Sequence, residues 1–333
     1  MLKENQIRNS KITVEQNIAL LTDIGRLLTN SKFFKEINCP SCDSDKYINR
    51  FDKNGFHYVT CENCSTFFIN PRPTPEILES FYRESLNYAF WNSNIFPKSE
   101  EMRLQKIFIP RINNLIKMIE KYKINKNAIL EVGGGFGTFC SELAKRNIFK
   151  KIVVVEPVHE LAETCKKRGL FVLEDPIEKV HFQDNDKFDV IVSFEVIEHL
   201  FSPQNFISSI SSFLNENGLL IITCPNGSGF DIEILKTESV LVDHEHLNYF
   251  NPKSIKHLFE KNKLEILEII TPGELDAELV RNKVLSDKIN LNSQPFLKKV
   301  LIDEWDLLGE KFQQFLIDNK LSSNMWVVAK KIC

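Results

Sequence analysis

Apolar residues at mostly three- and four-residue spacing over 12–28 (Ile12, Ile18, Leu21, Ile24, Leu28) predict an amphipathic helix. Residues 39–70 change character. They carry cysteine pairs and aromatics and close on Asn70-Pro-Arg-Pro-Thr-Pro75, which neither a helix nor a central strand accommodates. That proline cluster reads as the exit from a small module. The helical period returns over 99–123, with Pro110 as the expected break. From 127 the pattern switches to short apolar strands at 127–132, 151–155, 170–173, 188–193 and 218–224, with helices starting near Phe136, Val158 and Pro203 between them. Strands alternating with helices at this spacing predict an α/β domain with a parallel sheet. Beyond 224 the pattern gives a loop-rich segment, a helix near 252–262, a strand at 264–270 and two more helices. The second carries Leu297, Leu301, Trp305, Leu308, Phe312 and Phe315, and Met325–Ala329 reads as a last strand.

A chain of 333 residues exceeds what one compact unit usually needs, so the expectation is one large domain with attachments, or two domains. No apolar run reaches the roughly 18 residues of a membrane span, and Met1–Gln6 lacks the apolar core of a signal peptide. The expected location is cytoplasmic, where cysteines serve as metal ligands or buried hydrophobes rather than disulfides. The net charge of −3 argues against a polyanion-coating protein and leaves the oligomeric state open.

Four of the eight cysteines fall in residues 39–64. Cys39-Pro-Ser-Cys42 and Cys61-Glu-Asn-Cys64 are two C-x2-C knuckles, and together they offer the four thiolates of a tetrahedral zinc shell. A closed four-sulfur shell has no position for water or substrate, so the zinc is structural. The competing readings are four unligated buried cysteines or a redox dithiol. Tyr47–Phe51 and His57–Thr60 are placed to form a hairpin between the knuckles, with His57 outside the shell.

Ile129-Leu-Glu131-Val-Gly133-Gly-Gly135-Phe-Gly137 is a strand running into a glycine turn that opens a helix, a geometry that lets a ligand approach backbone N–H groups. The dinucleotide fingerprint needs a third glycine at 138, where Thr138 stands, so an NAD site is disfavoured. Glu156 at the end of the second strand suits a ribose diol, since a carboxylate accepts from both hydroxyls. Glu195, Glu198 and His199 sit at the carboxyl end of the strand that starts at Phe188. In open α/β sheets ligands bind outside the carboxyl ends of strands, so these residues converge on one crevice.

Glu131–Gly137, Glu156, Phe188-Asp-Val-Ile with its Glu-His-Leu, and Gly218–Asn226, in this order over about 127–270, resemble the class I S-adenosylmethionine-dependent methyltransferases. The resemblance implies an α/β fold with a Rossmann-like seven-stranded sheet whose last strand is antiparallel. It implies that Glu131, Gly133, Gly135 and Gly137 hold the methionine portion of S-adenosyl-L-methionine, that Glu156 takes the ribose, and that Glu178 lies near adenine. Glu195 is grouped with these cofactor residues. The zinc ribbon ahead of this core is similar to that of methyltransferases of sugar and polysaccharide biosynthesis. Unlike the deoxysugar C-methyltransferases among them, this chain shows no obvious counterpart of an extra C-terminal Rossmann-like domain and instead reads as helices and a strand. The expected organisation is a helical segment 1–36, a ribbon 37–72, a helical lid 73–125, and a methyltransferase domain 126–333 with a helical insertion at about 272–320.

Methyl transfer to a hydroxyl or carbon acid calls for a base in the crevice. Asp243-His244-Glu-His246 is the best source, because in an extended segment His244 and His246 point to the same side. The same histidines alternatively cap the following helix or, with Asp243, hold a metal. His199 is a second base candidate or a loop anchor. The acceptor expected is a small molecule of sugar type, with Tyr82, Tyr88 and Trp91 as a lid. An RNA acceptor would call for a basic ribbon, yet Lys46, Arg50 and Lys53 face Asp43, Asp45, Asp52 and Glu62. A non-catalytic cofactor-binding and docking protein is the remaining alternative.

Overall fold

The computed structural model describes residues 13–182 and 186–332. Helix α1 (Val14–Thr29) is capped by Thr13, whose hydroxyl accepts from the Gln16 N–H. It buries Ala19, Asp23, Ile24 and Leu27. Of the five apolar positions expected to form its inner stripe, Ile18 and Leu21 face outward and Ile12 lies outside the described residues. The buried carboxylate of Asp23 decides the orientation. It accepts from the Ser85 hydroxyl and the Leu86 and Asn87 N–H groups, capping the helix Leu86–Phe90.

Strands β1 (Tyr47–Lys53) and β2 (Phe56–Cys61) form the expected hairpin. Asn54 and Gly55, both at positive φ, make the two-residue turn that matches strand twist. Strand β3 (Phe67–Ile69) follows. Next come α2 (Pro75–Glu84), the helices Leu86–Phe90 and Phe96–Arg103, and α3 (Ile109–Tyr122). A widened π turn at Leu104–Phe108 precedes α3, because Pro110 supplies no N–H and its ring crowds the preceding turn.

The main sheet holds β4 (Ala128–Val132), β5 (Lys151–Val155), β6 (Phe171–Leu173), β7 (Phe188–Phe194), β8 (Leu214–Pro225), β10 (Leu264–Ile270) and β11 (Asn324–Lys331). Its order is β10-β11-β8-β7-β4-β5-β6, with β11 antiparallel to both neighbours. This is the seven-stranded Rossmann-like arrangement. Helices α4 (Thr138–Lys145) and α5 (His159–Lys167) join α3 on one face. Helices α6 (Pro203–Phe213) and α8 (Ser254–Glu260) cover the other. A satellite core unites α7 (Phe230–Leu235), α9 (Asp276–Leu285) and α10 (Trp305–Asp318). The long helix expected through Leu297–Phe315 is broken by a π turn at Lys299–Asp303.

The two-residue strand β9 (Asn248–Tyr249) joins the ribbon rather than the main sheet, pairing with β3 in the order β1-β2-β3-β9. Phe67 and Tyr249 stack at 4.0 Å between centroids across this junction. Arg72, wholly buried, donates to Asn248 Oδ1, to the Leu247, Ile69 and Phe201 carbonyls, and lies over Phe68.

Candidate active site

The knuckles are built alike. The N–H of Asp43 returns to the Cys39 carbonyl and that of Ser65 to the Cys61 carbonyl, each from a residue at positive φ. The sulfurs of Cys39 and Cys64 stand 3.5 Å apart, those of Cys42 and Cys61 3.6 Å, and all four lie within 4.8 Å of one another. A tetrahedron with zinc–sulfur bonds of about 2.3 Å has edges of about 3.8 Å, so the donors fit a zinc ion. The Cys64 thiol is pulled down by the hydrogen bond from Cys39. His57 is exposed on Asp52 at 2.8 Å, outside the shell.

Between β4 and α4, Gly133, Gly135 and Gly137 all adopt positive φ. A Cβ on Gly133 would strike Val196, on Gly134 Val154, and on Gly137 Cys165 and Leu170. A Cβ on Gly135 would meet no heavy atom within 4 Å. The turn is therefore packed on its inner side and open at Gly135, where a ligand can reach the backbone. Phe136 stacks on Phe96 of the lead-in helices at 3.4 Å. Arg103 spans Phe96 and Trp91, so Trp91 joins this stack.

Glu131 ends β4 inside the crevice, and its Oε2 has no hydrogen-bond partner. Burial raises its carboxyl to about 8, against the pull of Cys140 and Arg111. A cationic group arriving beside that oxygen supplies what the fold leaves missing. Glu156 is turned inward, with Oε2 accepting from the Gly135 N–H at 2.8 Å and Oε1 from the Val158 N–H at 3.0 Å. Burial raises it to about 7. Its oxygens hold the turn and keep their second lone pairs for a diol. Glu178 is exposed on the single turn Ile177–Lys179, while its neighbour Ile177 enters the core.

Glu195 occupies a left-handed conformation, φ 55°, just past β7. Its Oε1 accepts from the Thr223 hydroxyl at 2.6 Å, Arg111 at 3.3 Å and Asn324 at 3.3 Å. Arg111 went unnoticed in the sequence. It packs on Phe194 and faces Glu195, Glu131 and Glu198. The readable signal was its place on the apolar face of α3, one and two turns before Leu115 and Met118.

Glu198 is wholly buried, with neither carboxylate oxygen hydrogen-bonded, and burial beside Glu195 raises its pKa well above the usual carboxylate range. His199 Nδ1 lies 3.1 Å from the Glu245 carbonyl and His246 Nδ1 lies 2.8 Å from the Leu241 carbonyl. Both rings therefore carry their proton on Nδ1 and leave Nε2 as an acceptor. Their centroids are 4.7 Å apart, and burial lowers His199 to about 3. Ligand atoms of Glu198, His199 and His246 lie within 4.8 Å of one another, so this trio could hold a cation. The extended reading of 243–246 fails, because Asp243 Oδ1 accepts from the Glu245 and His246 N–H groups and folds the segment into a turn. That fold separates the two histidines. His246 faces His199, whereas His244 is sealed between Phe56 and Phe81, away from the crevice. Tyr82 and Tyr88 meet edge to face, and Tyr82 meets His199 the same way, which puts these two tyrosines beside the crevice.

Residues 104–269 match the family model of the methyltransferase domain. The protein is an S-adenosylmethionine-dependent methyltransferase. A ubiquinone biosynthesis O-methyltransferase of Rickettsia prowazekii (strain Madrid E) is 28% identical to it over 239 residues, covering 67% of this chain and 89% of the relative. That of Rickettsia canadensis (strain McKiel) is 26% identical over 239 residues, covering 67% and 95%. An S-adenosylmethionine-dependent methyltransferase from Clostridium acetobutylicum ATCC 824 overlays with a TM-score of 0.47 at 12% identity, covering 72% of this chain and all of that one. The matched segment of the methyltransferase begins inside the lead-in helices and includes Arg111. No described helix is long and apolar enough to cross a membrane.

Proposed function

We propose that the methyltransferase methylates a hydroxyl of a small polyhydroxylated, sugar-type acceptor, with His246 as the base and a structural zinc in the ribbon. The pairing of His199 with His246 carries this reading. Bound S-adenosyl-L-methionine supplies an electrophilic methyl group, so the chain's own work is to align the acceptor oxygen, remove its proton and exclude water. His246 Nε2 takes that proton while the Leu241 carbonyl holds the ring. His199, lowered to about 3 by burial, is too weak a base at neutral pH and orients the hydroxyl as an acceptor instead. Tyr82 and Tyr88 stand beside His199 as apolar walls. Glu131, Gly135 and Glu156 would hold the cofactor, with Arg111, fixed by Glu195, available to its carboxylate and Glu178 near the adenine. Residues 37–72 and 73–125 act as scaffold and lid for the domain 126–333.

The O-methyltransferases of ubiquinone biosynthesis among its relatives favour a second reading, a phenolic hydroxyl of a ring held between the same tyrosines and histidines. A mass-resolved methyl-transfer screen of nucleotide sugars against catechol-type phenols separates the two. Product only from phenols would overturn the sugar reading and leave the methyltransferase intact. His246→Ala should lower kcat by roughly 100-fold or more with cofactor Kd unchanged. Unchanged turnover in this variant would remove His246 as base.

A further inference from the structure

We propose that α1 is a self-association helix, pairing antiparallel with α1 of a second copy of this chain. The proposal rests on the outward face of α1 and is independent of the acceptor. Val14, Ile18 and Leu21 are 77%, 59% and 56% exposed, and Gly25 has nothing within 4 Å of where its Cβ would stand. At 100° per residue these four positions fall within about 60° of arc, at the 4-3-4 spacing of a coiled-coil seam. Asp23, which anchors α1 inward on Ser85–Asn87, lies opposite them. The helix thus has two apolar faces, and its own chain covers only one among the described residues.

The stripe is complementary to itself when inverted. A twofold axis between residues 19 and 20 sets Ile18 against Leu21 of the partner subunit and Val14 over the open space at the partner's Gly25. It also brings like flanks together. Glu15 and Arg26 share one flank, so each Glu15 faces the partner's Arg26, and Arg26 spends only Nη1 on the Glu84 carbonyl. Parallel pairing would instead set the flank of Glu15 and Arg26 against the opposite flank of the partner, and that pairing would be lost. One helix crossing of 16 residues buries less than the roughly 800 Å² per partner of a standard interface, so the association is a weak one.

Sedimentation equilibrium of the full chain between about 1 and 300 μM reads this directly. The wild type should move from monomer to dimer across that range. Ile18→Asp and Leu21→Asp, each present twice in the dimer, should weaken association on the order of 100-fold or more while the melting temperature and S-adenosylmethionine affinity stay unchanged. Glu15→Arg should weaken it several-fold at low salt and less at high salt. A wild type that stays monomeric at 300 μM overturns the proposal. So does a dimer indifferent to the Ile18 and Leu21 variants, or a wild-type monomer that dimerises only after removal of residues 1–12.

Discussion

Glu131 offers the sharpest test of the cofactor site. It is buried at the end of β4 with Oε2 unpartnered, and burial raises it from 4.5 to about 8. At pH 7 it is therefore roughly one-tenth ionised before the cofactor binds. A sulfonium or ammonium group beside it favours the carboxylate, so binding should release roughly 0.9 proton at pH 7. The dissociation constant should then fall about tenfold per pH unit between roughly pH 6 and 8 and level off above. Glu156, raised to about 7, steepens the slope at the acid end. For the free protein the sign is opposite. A raised carboxyl contributes stability that is fully present below 4.5 and lost as pH climbs through about 8. Calorimetric titration with S-adenosylmethionine in two buffers of different ionisation enthalpy measures the proton release. Glu131→Gln should bind with a flatter pH profile and release less. Wild-type binding that releases no proton, or a slope unchanged in Glu131→Gln, would refute the assignment.

Chelator treatment, or Cys39→Ser with Cys64→Ser, should remove about one zinc per chain and lower the melting temperature; unchanged stability with no metal found by mass spectrometry would remove the zinc. Gly135→Arg should fold at a cost of about 1 kcal/mol, that of a side chain at its positive φ, and lose cofactor binding. Gly134→Ala should instead destabilise by roughly 1–3 kcal/mol, because its Cβ would strike Val154 Cγ1. Denaturant titration with a binding assay separates the two, and cofactor binding retained in Gly135→Arg would contradict the open side of the turn. Arg72→Met should cost about 3–5 kcal/mol in a denaturant melt by leaving Asn248 and three carbonyls without their donor.

The sheet was legible because each strand is a short apolar run ended by a turn, and such runs fix strand existence without tertiary help. The glycine turn was legible for a related reason, since only glycine reaches these φ values cheaply. What escaped were contacts between segments distant in sequence. Nothing local marks Asn248–Tyr249 as a strand until β3 is beside it. The orientation of α1 could not be read from spacing, because a buried aspartate outweighs two exposed aliphatics only once Ser85–Asn87 are there to receive it. His244 and His246 looked equivalent for the same reason, and the turn built on Asp243 separates them.

The position of β9 changes what the ribbon is for. A zinc ribbon on a tether would add stability only to itself, yet here its third strand pairs with the segment that follows His246. The Tyr58 hydroxyl donates to the Asp243 carbonyl, Lys53 to the Ser239 and Val242 carbonyls, and Phe56 closes one side of His244. Arg72 then ties the ribbon's exit to the carbonyl of Phe201, two residues past His199. The two crevice histidines are thus set from opposite sides by one rigid element. A loop carrying a base within hydrogen-bond reach of an acceptor needs such support, because a misplacement of about 1 Å can cost 100-fold in rate. Loosening the four-cysteine shell should therefore lower kcat before it lowers cofactor affinity, since Glu131 and the glycine turn lie on the main sheet.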